Sequence, residues 1–337
     1  MKQLVFSFLL ACSIASARAD GPYHFIKEIP IGGDGGWDYL AVDSAAKRLY
    51  VSHATRVVVI DLARDAVIGE ITNTPGVHGI ALAPKSDRAF VSNGRGNNAS
   101  VVDLKTLQTT AQVATGANPD AILFEPSQNE IYAFNGRGRS ATVIAADSGK
   151  AVATIDLDGK PEFACADPAA GRIYNNLEDK NEVAVIDLKT HTVTNRWPIA
   201  PGESASGMAI DAKNHRLFLG CDNNLMVMMD SATGKVLAGV PIGAGVDANA
   251  FDPGTGLAFA SCGESGTTTI AKEDGDKLTV VQTLTTAPGA RTMTLDEATH
   301  KIYLPAAGYE APTNGVAEKR PKMKPGSFKV LVYGMEK

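Results

Sequence analysis

The chain has 337 residues, 44% of them hydrophobic, and a formal net charge of −5 at pH 7. That is ample apolar material for a sizeable core. The negative balance argues against a protein built mainly to coat phosphate backbones, and no apolar run reaches the roughly 20 residues of a membrane helix.

The first residues read as a secretion signal: Lys2 at the positive end, an apolar stretch over residues 4–14, and the small-x-small site Ala17-Arg18-Ala19. The mature chain is expected to begin at Asp20, in the periplasm or secreted, as one domain over residues 20–337. A second reading makes Leu9-Leu10-Ala11-Cys12 a lipoprotein box, in which Leu10 fits poorly. Cys165, Cys221 and Cys262 remain, an odd number that leaves at least one thiol unpaired. Cys221 and Cys262 fall at matching points of neighbouring repeats, so a disulfide and two separately buried thiols both stay open.

A short β-rich run, a turn and a second β-rich run ending in Asp recur along the chain. Arg48-Leu49-Tyr50-Val51-Ser52-His53 leads to Arg56-Val57-Val58-Val59-Ile60-Asp61, and Ala89-Phe90-Val91-Ser92-Asn93 leads to Ser100-Val101-Val102-Asp103. Further copies end at Asp147, Asp187 and Asp230, giving spacings of 42, 44, 40 and 43 residues. A fixed period of this size with only strand-type segments inside it marks a propeller blade. Each unit divides into four strands, in the first copy 39–42, 48–52, 56–60 and 66–71, with Asp, Ser and Gly at the joints. Seven units begin near Trp37, His78, Asp120, Glu162, Ser206, Asp247 and Arg291. The seventh lacks a fourth strand, and the otherwise unassigned run 24–31 is expected to complete it. That closure hides two sheet edges. The fold expected is therefore all-β, a seven-bladed propeller of four-stranded blades. A loop over residues 306–327, carrying Lys319, Arg320, Lys322 and Lys324, breaks the pattern in blade seven.

Repeats of the form Tyr-Val-Ser-x followed by Val-x-Val-Ile-Asp resemble those of the YVTN-repeat, YncE-like β-propellers of secreted bacterial proteins. The resemblance extends over nearly the whole mature chain. It implies the fold and leaves the activity open, since the family includes binding modules as well as proteins of unknown role. Nucleic acid enters as a partner by resemblance alone. The net charge argues against it, apart from a local patch at Arg95, Arg137 and Arg139.

In a propeller, the connections into each first strand and those joining the second and third strands surround the mouth of the central channel. Aligned repeats place Trp37, His78, Asp120, Glu162, Ser206, Asp247 and Arg291 in one ring there, five of them ionisable. The next ring inward reads Asp38, Gly79, Ala121, Phe163, Gly207, Ala248 and Thr292, mostly small. The ends of the second strands add His53, Asn93, Asn135, Asn176, Cys221 and Cys262, with Asp222 and Glu264 close behind.

Ligand-binding candidates are Trp37, Asp38, His53, Asn93, Asn135, Asp247 and Arg291. His53, His78, Asp120, Glu162 and Asp247 make an oxygen- and imidazole-rich set able to hold a divalent metal ion. If the protein is an enzyme, the catalytic set is His78, Glu162, Asp120 and Arg291: a base or ligand, two acids, and an anchor for negative charge. Gly32-Gly33-Asp34-Gly35-Gly36 ahead of Trp37 either turns the chain into blade one or lets a ligand approach. The loops at Asn93-Gly94-Arg95-Gly96 and Asn135-Gly136-Arg137-Gly138-Arg139 either are tight turns or hold an anion with free backbone N–H groups.

There is no Cys-x-x-Cys-His for haem, no P-loop for a nucleotide, and too little Trp for a quinone propeller. The readings carried forward are a binding protein for a small polar molecule or metal ion, a metal-assisted hydrolase or lyase using the same funnel, and a protein-docking platform at the rim.

Overall fold

The computed structural model describes residues 21–310 and 322–335. The expected leader, with Cys12, lies outside them, as do Lys319 and Arg320 of the blade-seven loop. Seven four-stranded antiparallel sheets make up the described chain. Blade one runs Trp37–Asp43, Arg48–His53, Arg56–Asp61 and Ala66–Ile71. The next five blades begin at Val77–Ala83, Pro119–Glu125, Pro161–Asp167, Ala205–Asp211 and Val246–Asp252. This is an all-β, seven-bladed propeller. Among the described residues no helix is long and apolar enough to cross a membrane.

The aspartates that mark the repeat are turn devices. Asp61 accepts hydrogen bonds from the backbone N–H groups of Ala63 and Arg64, Asp103 from Lys105 and Thr106, Asp187 from Lys189 and Thr190, and Asp230 from Ala232 and Thr233. A short carboxylate two or three residues upstream satisfies turn donors that would otherwise lack partners. The ends of the first strands repeat the device: Asp167 takes the N–H of Ala170, and Asp252 that of Gly254. The period is more regular than the sequence suggests. The third strand of blade three is Ser140–Ala145, so Ala145, and not Asp147, stands at the repeat position.

Blade seven is closed as expected. Its order is Tyr23–Pro30, Lys329–Met335, Lys301–Ala306, Thr294–Asp296, with Tyr23 paired to Met335 and Pro30 to Lys329. Gln282, in the fourth strand of blade six, clamps the start of that closing strand. Its Oε1 accepts from the Tyr23 N–H at 2.9 Å and its Nε2 donates to the Tyr23 carbonyl at 2.8 Å, both buried. The apolar core lies between blades. At the seam of blades seven and one, Phe328, Val330 and Val332 pack with Ile29, Val51 and Val58. The three cysteines among the described residues are free thiols, Cys221 and Cys262 fully buried, so no disulfide joins those two blades.

Candidate functional site

Every first strand in blades one to six is irregular at one place. The register against the second strand shifts just after Trp37, Val77, Pro119, Pro161, Ala205 and Val246. A bulge leaves a residue out of the ladder and re-aims its side chain. The bulged residues are Asp38, His78, Asp120, Glu162, Ser206 and Asp247, with Arg291 ahead of the short strand of blade seven. These side chains surround the channel mouth.

This register corrects the sequence alignment by one residue in blade one. Trp37 pairs with His53 as Val77 pairs with Asn93, so Asp38 is the ring member. The Trp37 indole caps the core against Phe328, ring centroids 5.2 Å apart. The next position inward in blade one is therefore Tyr39. It meets Phe163 of blade four edge to face across the channel, centroids 5.3 Å apart at 62°. The inner ring is thus not the open space that small residues would leave. Two aromatic rings floor the funnel.

The bulged backbone is tied from blade to blade. Ser92 Oγ donates to the Asp120 carbonyl at 2.6 Å, Ser206 Oγ to that of Val246 at 2.8 Å, and Thr292 Oγ1 to that of Asp38 at 2.7 Å. Asn176 Nδ2 donates to the carbonyls of Ser206 and Gly207. Asn176 therefore belongs to this belt, and Leu177 occupies the end of its strand. Asn93 and Asn135 also face inward to the fold. Asn93 Nδ2 bonds Asn98 and Ser100, and Asn135 Nδ2 bonds Ser140 and Thr142, bracing the second strand to the third.

Ion pairs organise the ring. His78 Nδ1 lies 2.6 Å from Asp38 Oδ2 and 3.4 Å from Asp120 Oδ1. Arg291 Nε donates to Asp247 at 2.6 Å, while its Nη2 donates to the Trp37 carbonyl at 2.9 Å and lies 3.5 Å from Asp38. Lys160 reaches Glu162 at 2.8 Å and also pairs with Glu178. Two glycines make room: a Cβ on Gly94 would stand 2.6 Å from His78 Nε2, and one on Gly263 2.6 Å from Arg291 Cβ.

Carboxylates outnumber the cations here, and titration reflects it. Burial, then the charge of Asp38, pushes Asp120 up to about 7. Burial, then Asp120, pushes Glu162 up to about 8 despite Lys160. Burial, then Asp38, pushes Asp247 up to about 6 despite Arg291. Burial opposes a charge on His78, but its bond to Asp38 and the nearby Asp120 prevail and raise its pKa. Tyr39 lies deep enough among these acids that burial, with Asp120 and Asp247, holds its phenol well above its ordinary value.

His53 is not part of this arrangement. It is fully buried and stacked under Phe328, centroids 4.0 Å apart, with its Nδ1 3.4 Å from Arg56 and its Nε2 without a protein partner. Burial, then Arg56, lowers its pKa to about 4. His53 therefore does not join the set of His78, Asp120, Glu162 and Asp247 with which the sequence grouped it. Asp38, His78 and Asp120 are the group whose donor atoms all lie within 4.8 Å, so Glu162 and Asp247 stand apart from the nearest metal-ligating cluster.

The glycine run before Trp37 turns the chain from the closing strand. Gly33 has φ +83°, and a Cβ there would meet Arg56 at 2.6 Å and His53 at 3.2 Å. Five N–H groups of the two Gly/Arg loops are spent on the turns: Gly94 donates to Gly76, Arg95 to Pro75, Gly96 to Asn93, Gly136 to Asn118 and Gly138 to Ala117. The loops are thus built as tight turns, the first of the two alternatives. Arg139 is occupied with Asp179 and the Asp158 carbonyl, which leaves Arg95 and Arg137 of the expected patch. In the blade-seven loop, Lys322 pairs with Glu310 at 3.1 Å.

The funnel divides into two lobes that share Arg291. One, of about 650 Å³, is lined by Lys160, Glu162, Asp222, Asp247, Glu264 and Tyr309 among others. The other, of about 760 Å³, is lined by Asp38, His78, Arg95, Asn118 and Arg137 among others. Sequence reading missed Lys160, Glu178, Tyr39 and Tyr309. Lys160 stands two residues before Glu162 in the same connection, and its position there is the signal that could have found it. No protein-family model matches the chain, and a search of curated proteins finds no match.

Proposed function

We propose that this protein is an exported propeller of the YVTN-repeat, YncE-like kind, working outside the cytoplasm as a binding protein. Its ligand is a small polar molecule or a metal ion, in either case bringing positive charge into the funnel. The observation that carries this reading is the bulged ring itself. Asp38, Asp120, Glu162 and Asp247 ring a floored funnel whose cations are His78, Arg291 and Lys160, and burial makes ionisation of Asp120, Glu162 and Asp247 unfavourable until a further cation arrives.

The test is calorimetric titration of the protein with calcium, manganese and zinc salts and with simple alkylamines, alongside elemental analysis of protein purified without chelator. Binding in the parent that weakens at least tenfold in both Glu162→Gln and Asp120→Asn supports the reading. Failure of every cation to bind, with no metal carried through purification, would remove it.

A metal-assisted hydrolase or lyase is a second reading, favoured by the convergence of Asp38, His78 and Asp120 within 4.8 Å. This mixed oxygen and nitrogen set suits a divalent ion of hard to borderline character. Such an ion, when bound, would acidify a water or polarise a substrate oxygen. Asp38, His78 and Asp120 would hold it, and Arg291, already oriented by Asp247, would position a substrate anion. Turnover that is lost in His78→Ala while ligand binding persists would favour this reading over simple binding.

A further inference from the structure

The funnel's charge is sorted by side, and from this we infer that its ligand is a zwitterion: a small molecule whose cationic end occupies the lobe of blades four to six and whose anionic end occupies the lobe of blades one to three. This rests on the binding reading above and deepens it.

The carboxylates of Glu162, Glu178, Asp222, Asp247 and Glu264 lie on the first side, opposed there only by Lys160 and the shared Arg291. On the other side the acids are Asp38 and Asp120, both beside His78, and Arg291 also reaches Asp38. Arg95 and Arg137 line that lobe with exposed side chains and make no ion pair or side-chain hydrogen bond among the described residues. The neighbouring Arg139, in contrast, is fully engaged. Arg95 is also positioned rather than loose. Its stem lies over Gly76, where a Cβ would stand 2.6 Å from Arg95 Cγ.

Arg291 sits at the boundary. Its Nε and Nη2 are committed to Asp247 and Trp37, which leaves Nη1 for a ligand. A guanidinium pair suits a carboxylate, which it can grip through two parallel bonds. A ring of desolvated carboxylates suits an ammonium. Neither a bare metal ion nor a simple amine would use Arg95 and Arg137 at all.

The experiment compares matched ligands by calorimetry. The zwitterions are γ-aminobutyrate, ε-aminocaproate and triglycine. The one-charge partners of the first two are butylamine with butyrate and hexylamine with hexanoate, and those of triglycine are its amide and its N-acetyl derivative. The variants are Arg95→Ala/Arg137→Ala and Glu162→Gln, each checked for an unchanged melting transition. At least one zwitterion should bind tenfold or more tighter than both of its partners. The double arginine variant should reduce it to the level of the amine while leaving the amine unchanged.

If amines bind as tightly as every zwitterion in the parent and the double variant is silent, the inference is overturned while the cation-binding funnel stands. If neither amines, zwitterions nor divalent cations bind, the funnel reading itself falls.

Discussion

Tyr39 of blade one and Phe163 of blade four touch edge to face across the central channel, 5.3 Å between centroids, although they come from opposite sides of the ring. Their contact makes the channel a cup and not a pore. Truncating Tyr39 to Ala should cost about 3 kcal/mol, as for other buried aromatics, and truncating the half-buried Phe163 should cost less. The double variant should cost less than the sum, because the partners share one cavity. Urea denaturation of the two single variants and the double variant measures this directly, and strict additivity would mean the rings do not support each other.

His78 should titrate as a member of a charged pair. Its bond to Asp38 and the nearby Asp120 hold the imidazolium against burial. In Asp38→Asn burial is left less opposed, so the pKa should fall. An NMR titration of the His78 ring resonances reads the change. No movement would show that Asp120 alone sustains the charge.

Stability should fall as the solution is made more alkaline. Asp247, Asp120 and Glu162 hold their protons to about 6, 7 and 8 in the folded chain, against ordinary values of 3.8 for aspartate and 4.5 for glutamate. The stability they contribute is complete below those ordinary values and is lost as pH rises through the folded ones. The urea midpoint should therefore be lower at pH 9 than at pH 5. Glu162→Gln should remove the last part of the decline, above about pH 7. A bound cation should reverse it, since it needs the ionised form.

Gly94→Ala should separate folding from binding. The new methyl would stand 2.6 Å from His78 Nε2, a side-chain atom that can swing away at modest cost. We expect a melting temperature within a few degrees of the parent, roughly what about 1 kcal/mol moves in a chain this size. Binding of a divalent metal ion at Asp38, His78 and Asp120 should weaken at least tenfold. A variant that binds normally would show that His78 is not needed where it now lies.

Phe328→Ala should act at two places. It opens the seam between blades seven and one at about 3 kcal/mol or more, and it uncovers His53. The His53 pKa, lowered to about 4 chiefly by burial, should then rise toward 6.5. Denaturation and NMR titration of the same variant check both effects.

The architecture was legible because it is written seven times. Apolar alternation, turn aspartates and the orphan strand at the N-terminus all point to a closed ring, and the pairing of Tyr23 with Met335 agrees. The site was legible only to within one residue. The bulge stands in every first strand, so the slip in blade one has another source: Asp43 ends its strand as Ala83 and Asp167 end theirs, but it resembles the turn residue one position further on, and matching it there set Trp37 where Asp38 belongs. Because side chains alternate, that slip exchanged a core indole for a carboxylate and hid Tyr39. His53 was misjudged for another reason. Nothing local distinguishes it from Asn93, and what removes it from the mouth is Phe328, which reaches it only once the ring has closed. Lys160 escaped notice because a lysine in a connecting turn is ordinarily solvated, and only the folded ring shows two glutamates around it.

The strand Tyr23–Pro30 finds its partner, Lys329–Met335, some 300 residues later in the chain. On the ribosome it is therefore finished long before the strand it pairs with exists. Six blades can form by local pairing as they emerge, but the seventh cannot, and the seam that buries Trp37 and His53 must wait with it. Closing so large a loop carries its entropic cost before any contact repays it. Until that partner strand exists, Tyr23–Pro30 has no ladder to join and the ring has two unpaired sheet edges. A late truncation would not merely shorten such a chain. It would leave the ring unable to close, with Tyr23–Pro30 lacking the strand it pairs with.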